Sequence, residues 1–420
     1  MSIASSVAKG ISFLKRIGRS ESGNVLILFG LSMPLLIGLA GLGTDTVQWT
    51  LNKQQLQRSA DSAALNGAFA KAQSENVSAN ANRDLTTTLD GFTGVGITVE
   101  NAPSAGTFAG NTRAVRVILT HTKSLPFSSM FLSNPPTIRV EAIAAVLNNG
   151  DYCVISLEDG NTTGVTFSGN STVDLGCGVA SNATGSTAIT AAGSTYVLAS
   201  PIAAVGNVPA SGNYQTGTVL VPYSIPQRDP FASLPDASTT IPNPCTGGSV
   251  TINSNQNSTM DPGCYSSITI KGQVTMRPGN YFIKGGDFST TAQSNISAVG
   301  VTIILTNDGT TFGKVDMNGG ANVVMSAPTT GAYRGVLFYL DKDAPLLDNK
   351  FNGGASGSFL GAIYMPSQQV TMTGNSSFTT DCLQIVSRRV VMTGNTTITN
   401  DCPVGTAADS FVGTQVRLVG

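Results

Sequence analysis

Histidine and charge are what this chain has least of. Of 420 residues one is histidine, His121, at the end of a predicted strand. That excludes a Ser-His-Asp relay or a histidine-rich metal site in the rest of the chain. Charged residues make up 11%, against roughly 25% in ordinary soluble domains. The net charge of −1 leaves no electrostatic footprint for nucleic acid. Aromatics amount to 6%, and several, such as Phe167 and Phe378, fall at inward positions of a repeat, so there is no strong platform for glycan stacking. Zinc-type Cys-x-x-Cys spacing and phosphate-cradling loops are missing, and no cofactor is implied.

Gly, Ser, Thr and Asn replace the missing charge, while 41% of residues stay hydrophobic. That composition fits an extracytoplasmic, mainly β chain with many tight turns. Residues 25–43 form a run of nineteen without a charge, about 28 Å as a helix and enough to cross a bilayer core. Lys9, Lys15, Arg16 and Arg19 precede it, ahead of the first acid, Glu21. Basic flanks stay inside, so residues 1–24 read as a cytoplasmic tail of an inner-membrane protein whose bulk is periplasmic or extracellular. A cleaved signal would need a shorter apolar core and a small-x-small site. Here an amphipathic pattern follows without a break: Val47, Leu51, Leu56, Ala60, Ala63, Ala64 and Ala68, with Gln, Lys, Arg and Asp between. Residues 44–75 therefore read as a stalk helix, and Pro34 as a kink in the span.

The order Gly23-Asn-Val, apolar run, GLGTD, then Leu56, Gln57, Ser59, Ala60, Asp61, Ala63, Ala64 and Leu65 resembles the N-terminal region of TadE/TadG-like proteins. Those are associated with Flp-type (tight adherence) pilus assembly. The resemblance covers residues 23–70 and implies a role in assembling or anchoring Flp-type pili among pilus-assembly or envelope partners; with the anchor read above, the chain is expected to be a non-enzymatic inner-membrane protein. Two features depart from the family. Flp pilins carry Glu about five residues after the cleavage glycine, where Gly23 is followed by Leu28. Larger members often hold an Asp-x-Ser-x-Ser metal site; the nearest string, Asp236-Ala-Ser238-Thr-Thr240, follows a proline instead of a buried strand and is discounted.

Residues 95–101, 114–120 and 137–146 alternate apolar and polar residues and read as strands of a small module over 85–147, with 125–132 a short helix or loop. A membrane-rooted helix before a small sheet is a pilin-like plan. From residue 151 a repeat begins. VTFSGNSTVDLGC (165–177), VTMTGNSSFTTDC (370–382) and VVMTGNTTITNDC (390–402) share an apolar pair, Gly-Asn and a final Cys. A period near 20 with Gly/Asn turns predicts a right-handed parallel β-helix, or β-solenoid, over 151–405, each coil stacking on the next. A β-sandwich is the alternative. Met372 should lie over Met392, and Phe378 over Ile398. Eight prolines interrupt residues 201–244, which read as an excursion over one face or as a linker; 406–420 is a tail.

The six cysteines lie outside the membrane on this orientation. Their spacing pairs Cys153 with Cys177, Cys245 with Cys264 and Cys382 with Cys402, each about one coil apart. Buried free thiols are the alternative. Each bridge would add about 3 kcal/mol if unstrained. Asn375 and Asn395 should form a side-chain ladder. Asp381 and Asp401, one coil apart, are the candidate acid and base of the rival reading, a surface adhesin or acidic-polysaccharide-processing β-helix; as turn residues they need no chemistry.

Overall fold

A computed structural model describes residues 22–353, 357–374, 377–380, 382–395, 397–400 and 411–420. The chain divides into two compact units, Met1–Val146 with Val416–Gly420, and Leu147–Gln415.

In the first unit a continuous helix, α1 (Ser22–Ala72), contains Pro34. Leu56, Ala60, Ala63, Ala64 and Ala68 are all fully buried. Their spacing puts them on one stripe, and the small alanines let the helix approach its neighbours closely. From Leu56 onward, then, the segment read as a stalk is the core helix of this unit. It packs on α2 (Val77–Thr88) and on β2 (Ala114–Thr122). α2 stands where the sequence pattern predicts no element. Its Asn76 cap accepts from the Ala79 amide at 2.9 Å, and it buries Val77, Ala81 and Leu85. β2 runs antiparallel between β1 (Gly96–Glu100) and β3 (Thr137–Ser156). The last residues complete the unit: the Val419 amide donates to the Ile143 carbonyl, and the Ile143 amide to that of Gly420.

The second unit is rich in short parallel strands that fall into three ladders. In the first ladder the register runs Ile252, Ile270, Thr290, Met317, Phe351, Met372, Met392, Phe167, Ala191. Met372 pairs with Met392, and in the second ladder Phe378 pairs with Ile398. The third ladder has an inward column, Tyr281, Ile303, Phe338, Ile363, Ile385, Val154, Val179 and Ile202. Its outward column carries Phe282, Ile304, Tyr339, Tyr364, Val386, Ile155 and Ala180, also buried. Strands such as Val301–Thr306 and Val336–Leu340 are buried at every residue, as strands covered on both faces must be.

Stacking in chain order was expected; the structure departs from it. The rung ending at Met392 is followed by Val165–Phe167, 225 residues earlier in the chain. Ile385 pairs with Val154, and Ile398 with Val173. The three repeat copies are thus neighbours, in the order 370, 390, 165. Their shared glycine explains part of the likeness. Gly169 and Gly394 both have positive φ (78° and 86°), and a Cβ on Gly169 would lie 2.7 Å from the Gly394 nitrogen. Only glycine suits both demands.

This order leaves the chain at one end of the stack after Leu220–Val221 and needs it at the other at Ser249–Ile252. Residues 222–244 make the crossing over the outward face of the third ladder. Gln227 exchanges hydrogen bonds with Asn182, Asp229 accepts from the Tyr364 hydroxyl at 2.7 Å, Lys342 donates to the Ala232 and Leu234 carbonyls, and Thr240 meets the Tyr333 hydroxyl. Cys245 then bonds Cys264 on the terminal rung. Burial, followed by the acceptor Asp229, pushes the Tyr364 hydroxyl far above its usual range, so it stays a donor.

The seam between the 382–392 and 154–165 segments carries a buried ion cluster. Glu158, 2% exposed, accepts from Arg388 Nε at 3.0 Å and Arg389 Nε at 2.7 Å. Burial acts to raise its pKa, but the two arginines outweigh that and hold it below the ordinary value. Backbone bonds from Leu157 to Ser387, Glu158 to Arg388 and Val390 to Gly164 flank the cluster.

Ile296 is buried and its neighbour Ser297 exposed. In denaturant melts of the detergent-solubilised chain, Ile296→Asp should cost several kcal/mol, and Ser297→Asp less than about 0.5 kcal/mol. Equal effects would refute the inward–outward assignment. Glu158→Gln should cost about 1.5–3 kcal/mol at pH 7, the range for hydrogen bonds to charged groups. A depressed carboxylate contributes stability above its unfolded pKa, about 4.3. That contribution is lost as pH falls through the lower folded value, so the difference between native and variant should shrink in acid.

Candidate functional site at the foot of the long helix

The first turns of α1 present large apolar side chains to their surroundings: Ile27, Leu28, Leu31, Leu35 and Leu39 are all exposed. By length and composition the helix can cross a membrane. Where the charge-free segment ends, protein contacts begin. Gly41 and Asp45, one turn apart, are both buried on the same face. Gly41 leaves room for the Phe127 ring: a Cβ there would sit 2.3 Å from Phe127 Cδ1. Asp45 accepts from the Phe127 amide at 3.1 Å, and from the amide and hydroxyl of Ser128. Burial disfavours its charge, but the Ser128 hydroxyl and amide and the Phe127 amide outweigh burial and depress its pKa. Two residues of the GLGTD string thus lock the 125–132 segment to the helix.

A turn further on, the ammonium of Lys53 lies 5.4 Å from the centre of the Trp49 ring, a cation–π arrangement. Higher still, a cleft of about 370 Å³ is lined by Asn52, Gln55, Asp90, Phe92, His121 and Lys123. His121 is buried edge-on to Phe92, with ring centres 5.2 Å apart. Burial first, and Lys123 second, lower its pKa. The imidazole is therefore neutral at pH 7, a packed ring of the sheet.

The remaining residues singled out from sequence are dispersed. Cys153 and Cys177 are bonded, with Cα atoms 5.9 Å apart, and join adjacent rungs. Cys245–Cys264, with Cα atoms 5.4 Å apart, pins the end of the crossing segment. Cys382 is disulfide-bonded, and Cys402 lies outside the described residues. Asp381, Asp401 and Asn375 also lie outside them. Asn395 does take part in a side-chain pair, accepting from Asn170 at 2.9 Å, across the seam. Asp236 precedes a single turn, Ala237–Thr240, without a side-chain cap bond, and pairs with Lys342 at 3.6 Å. The Asp45 lock was missed in the sequence, although the acid directly after an apolar span was a visible signal.

Residues 23–72 match the family described as putative Flp pilus-assembly TadE/G-like. That match ends at the end of α1, so it covers the helix and none of the parallel ladders. No curated protein and no solved structure matches the chain.

Asp45→Ala should expose the amides of Phe127 and Ser128 to rapid hydrogen exchange while leaving those of Leu56 to Ala70 protected. Unchanged exchange at Phe127 and Ser128 would show that the lock does not hold the segment.

Proposed function

We propose that this chain is a non-enzymatic, single-pass protein of the bacterial inner membrane that acts in the assembly or anchoring of Flp/Tad-type pili. The observation that carries the reading is the TadE/G-like match over residues 23–72, laid on a helix that begins as an exposed apolar rod and ends as a protein core. The basic residues before the apolar run favour a cytoplasmic N-terminus and a periplasmic bulk.

Parallel ladders in which each strand pairs three elements on support a β-solenoid over 151–405. On this reading its role is mechanical. A stack of rungs, cross-braced by disulfides and an overlying segment, offers pilus or envelope proteins a long stiff surface. The helix roots that surface in the membrane.

Deleting the gene should abolish pili or surface attachment. The full chain should restore them, and a chain lacking residues 1–43 should not, while the full chain fractionates with the inner membrane. Cleavage of an acidic polysaccharide that depends on Asp381 and Asp401, with piliation intact in the deletion strain, would replace this reading with the enzymatic one.

A further inference from the structure

The 125–132 segment has a surface that its packing does not use. Phe127 turns inward onto Gly41, and the next turn, Ser128–Met130, throws the following side chains outward. Met130 is 76% exposed, Phe131 80% and Leu132 51%. Three consecutive large apolar residues in water are unusual, and here their position is informative. Gly41 belongs to the charge-free run of residues 25–43, so the Phe127 contact puts the segment at the level of that run's last turn. Leu39 and Leu42 of the helix are exposed at the same level. Residues 124–138 carry no charge, and Lys123 stands at their start.

The backbone points the same way. Lipid offers no hydrogen bonds, so irregular backbone placed in it must satisfy itself. Six consecutive amides do so. Phe127 and Ser128 donate to Asp45, Ser129 to Leu125, Met130 to Phe127, and Phe131 and Leu132 to Ser128.

We propose that residues 125–132 form a second membrane contact, a turn that inserts Met130, Phe131 and Leu132 into the bilayer leaflet from which α1 emerges. Asp45 and Gly41 hold it at the correct depth. The inference rests on α1 being a membrane span, so the experiment reports on both. The full chain carrying Trp49→Phe has no other tryptophan. Into it go Leu36→Trp or Phe131→Trp, in phosphatidylcholine–phosphatidylglycerol vesicles containing lipids brominated at shallow or deep acyl positions. Both replaced side chains are exposed, so the fold should tolerate the change.

The expected result is quenching of the Leu36→Trp variant by deep bromines, and of the Phe131→Trp variant by shallow ones with blue-shifted emission. Quenching at 36 without quenching at 131 would overturn the inserted turn and leave the anchor standing. Blue-shifted but unquenched emission at 131 would mean that protein covers it, and would overturn the proposal too. Absence of quenching at both would remove the anchor, and the inserted turn with it.

Discussion

The second unit depends on one junction, where the rungs ending at Met392 and Asn400 meet Phe167 and Asp174. Without it the segments 151–221 and 249–400 would each end in an open parallel edge, with unpaired amides and carbonyls. Pairing those edges hides them and makes one continuous core of the two segments. It also dictates the rest of the topology. Rungs 154–221 extend the stack beyond residue 400, so the chain must travel back along its whole length to start the next rung at Ser249. About nine rung spacings at roughly 4.8 Å come to about 43 Å, well within the reach of an irregular segment as long as residues 222–244. Proline suits this crossing, because it contributes no ladder donor and limits the freedom lost on ordering. The crossing segment in turn buries the outward tyrosines that a solvent-facing ladder would have to replace with polar residues.

That logic explains what was legible in the sequence. The buried column of Met372 over Met392 was readable because alternation has a strict period of two, and the register of Phe378 with Ile398 follows from spacing alone. The order of the rungs was not, because a period says which positions are equivalent and not which copies touch. Yet a signal was present. The copy at 165–177 matches 390–402 better than it matches the looser echo at 274–279. Stacked glycines in left-handed turns and the Asn170–Asn395 pair demand that likeness between neighbours. Similarity between repeats is a contact signal when backbones approach closely. The same holds for Glu158, whose partners lie 230 residues away and could not be picked out from charge pattern.

The first unit shows a different limit. Its long helix was evident from hydrophobicity, and its small-residue stripe from periodicity. That periodicity fits an exposed amphipathic stalk and a core helix equally well. What separates them is the partner, and α2, with its modest apolar content, gives a weak pattern of its own. The Asp45 lock is legible only in retrospect. A carboxylate two residues past an apolar run looks like the end of a span, whereas here it organises a loop eighty-odd residues away.

Both units are closed by residues far apart in sequence. The sheet of the first is finished by the 416–420 segment against Ile143, and the stack of the second by the 382–400 segment against 154–174. The first closure is not available until residues 416–420 have emerged, nor the second until residues 382–400 have. Long-range closures of this kind slow folding, since ordering must precede the contacts that compensate for it. During that interval the exposed edge of the 152–181 rungs is a hazard. Cys153–Cys177 acts within that pair of rungs and needs nothing from the C-terminal half. It can hold two adjacent rungs together while they wait for their partner. The charged seam adds a reason for correct pairing. Arg388 and Arg389 both pair with the buried carboxylate of Glu158, so a rung docked in the wrong place would leave that carboxylate uncompensated, a penalty far larger than the loss of one apolar contact.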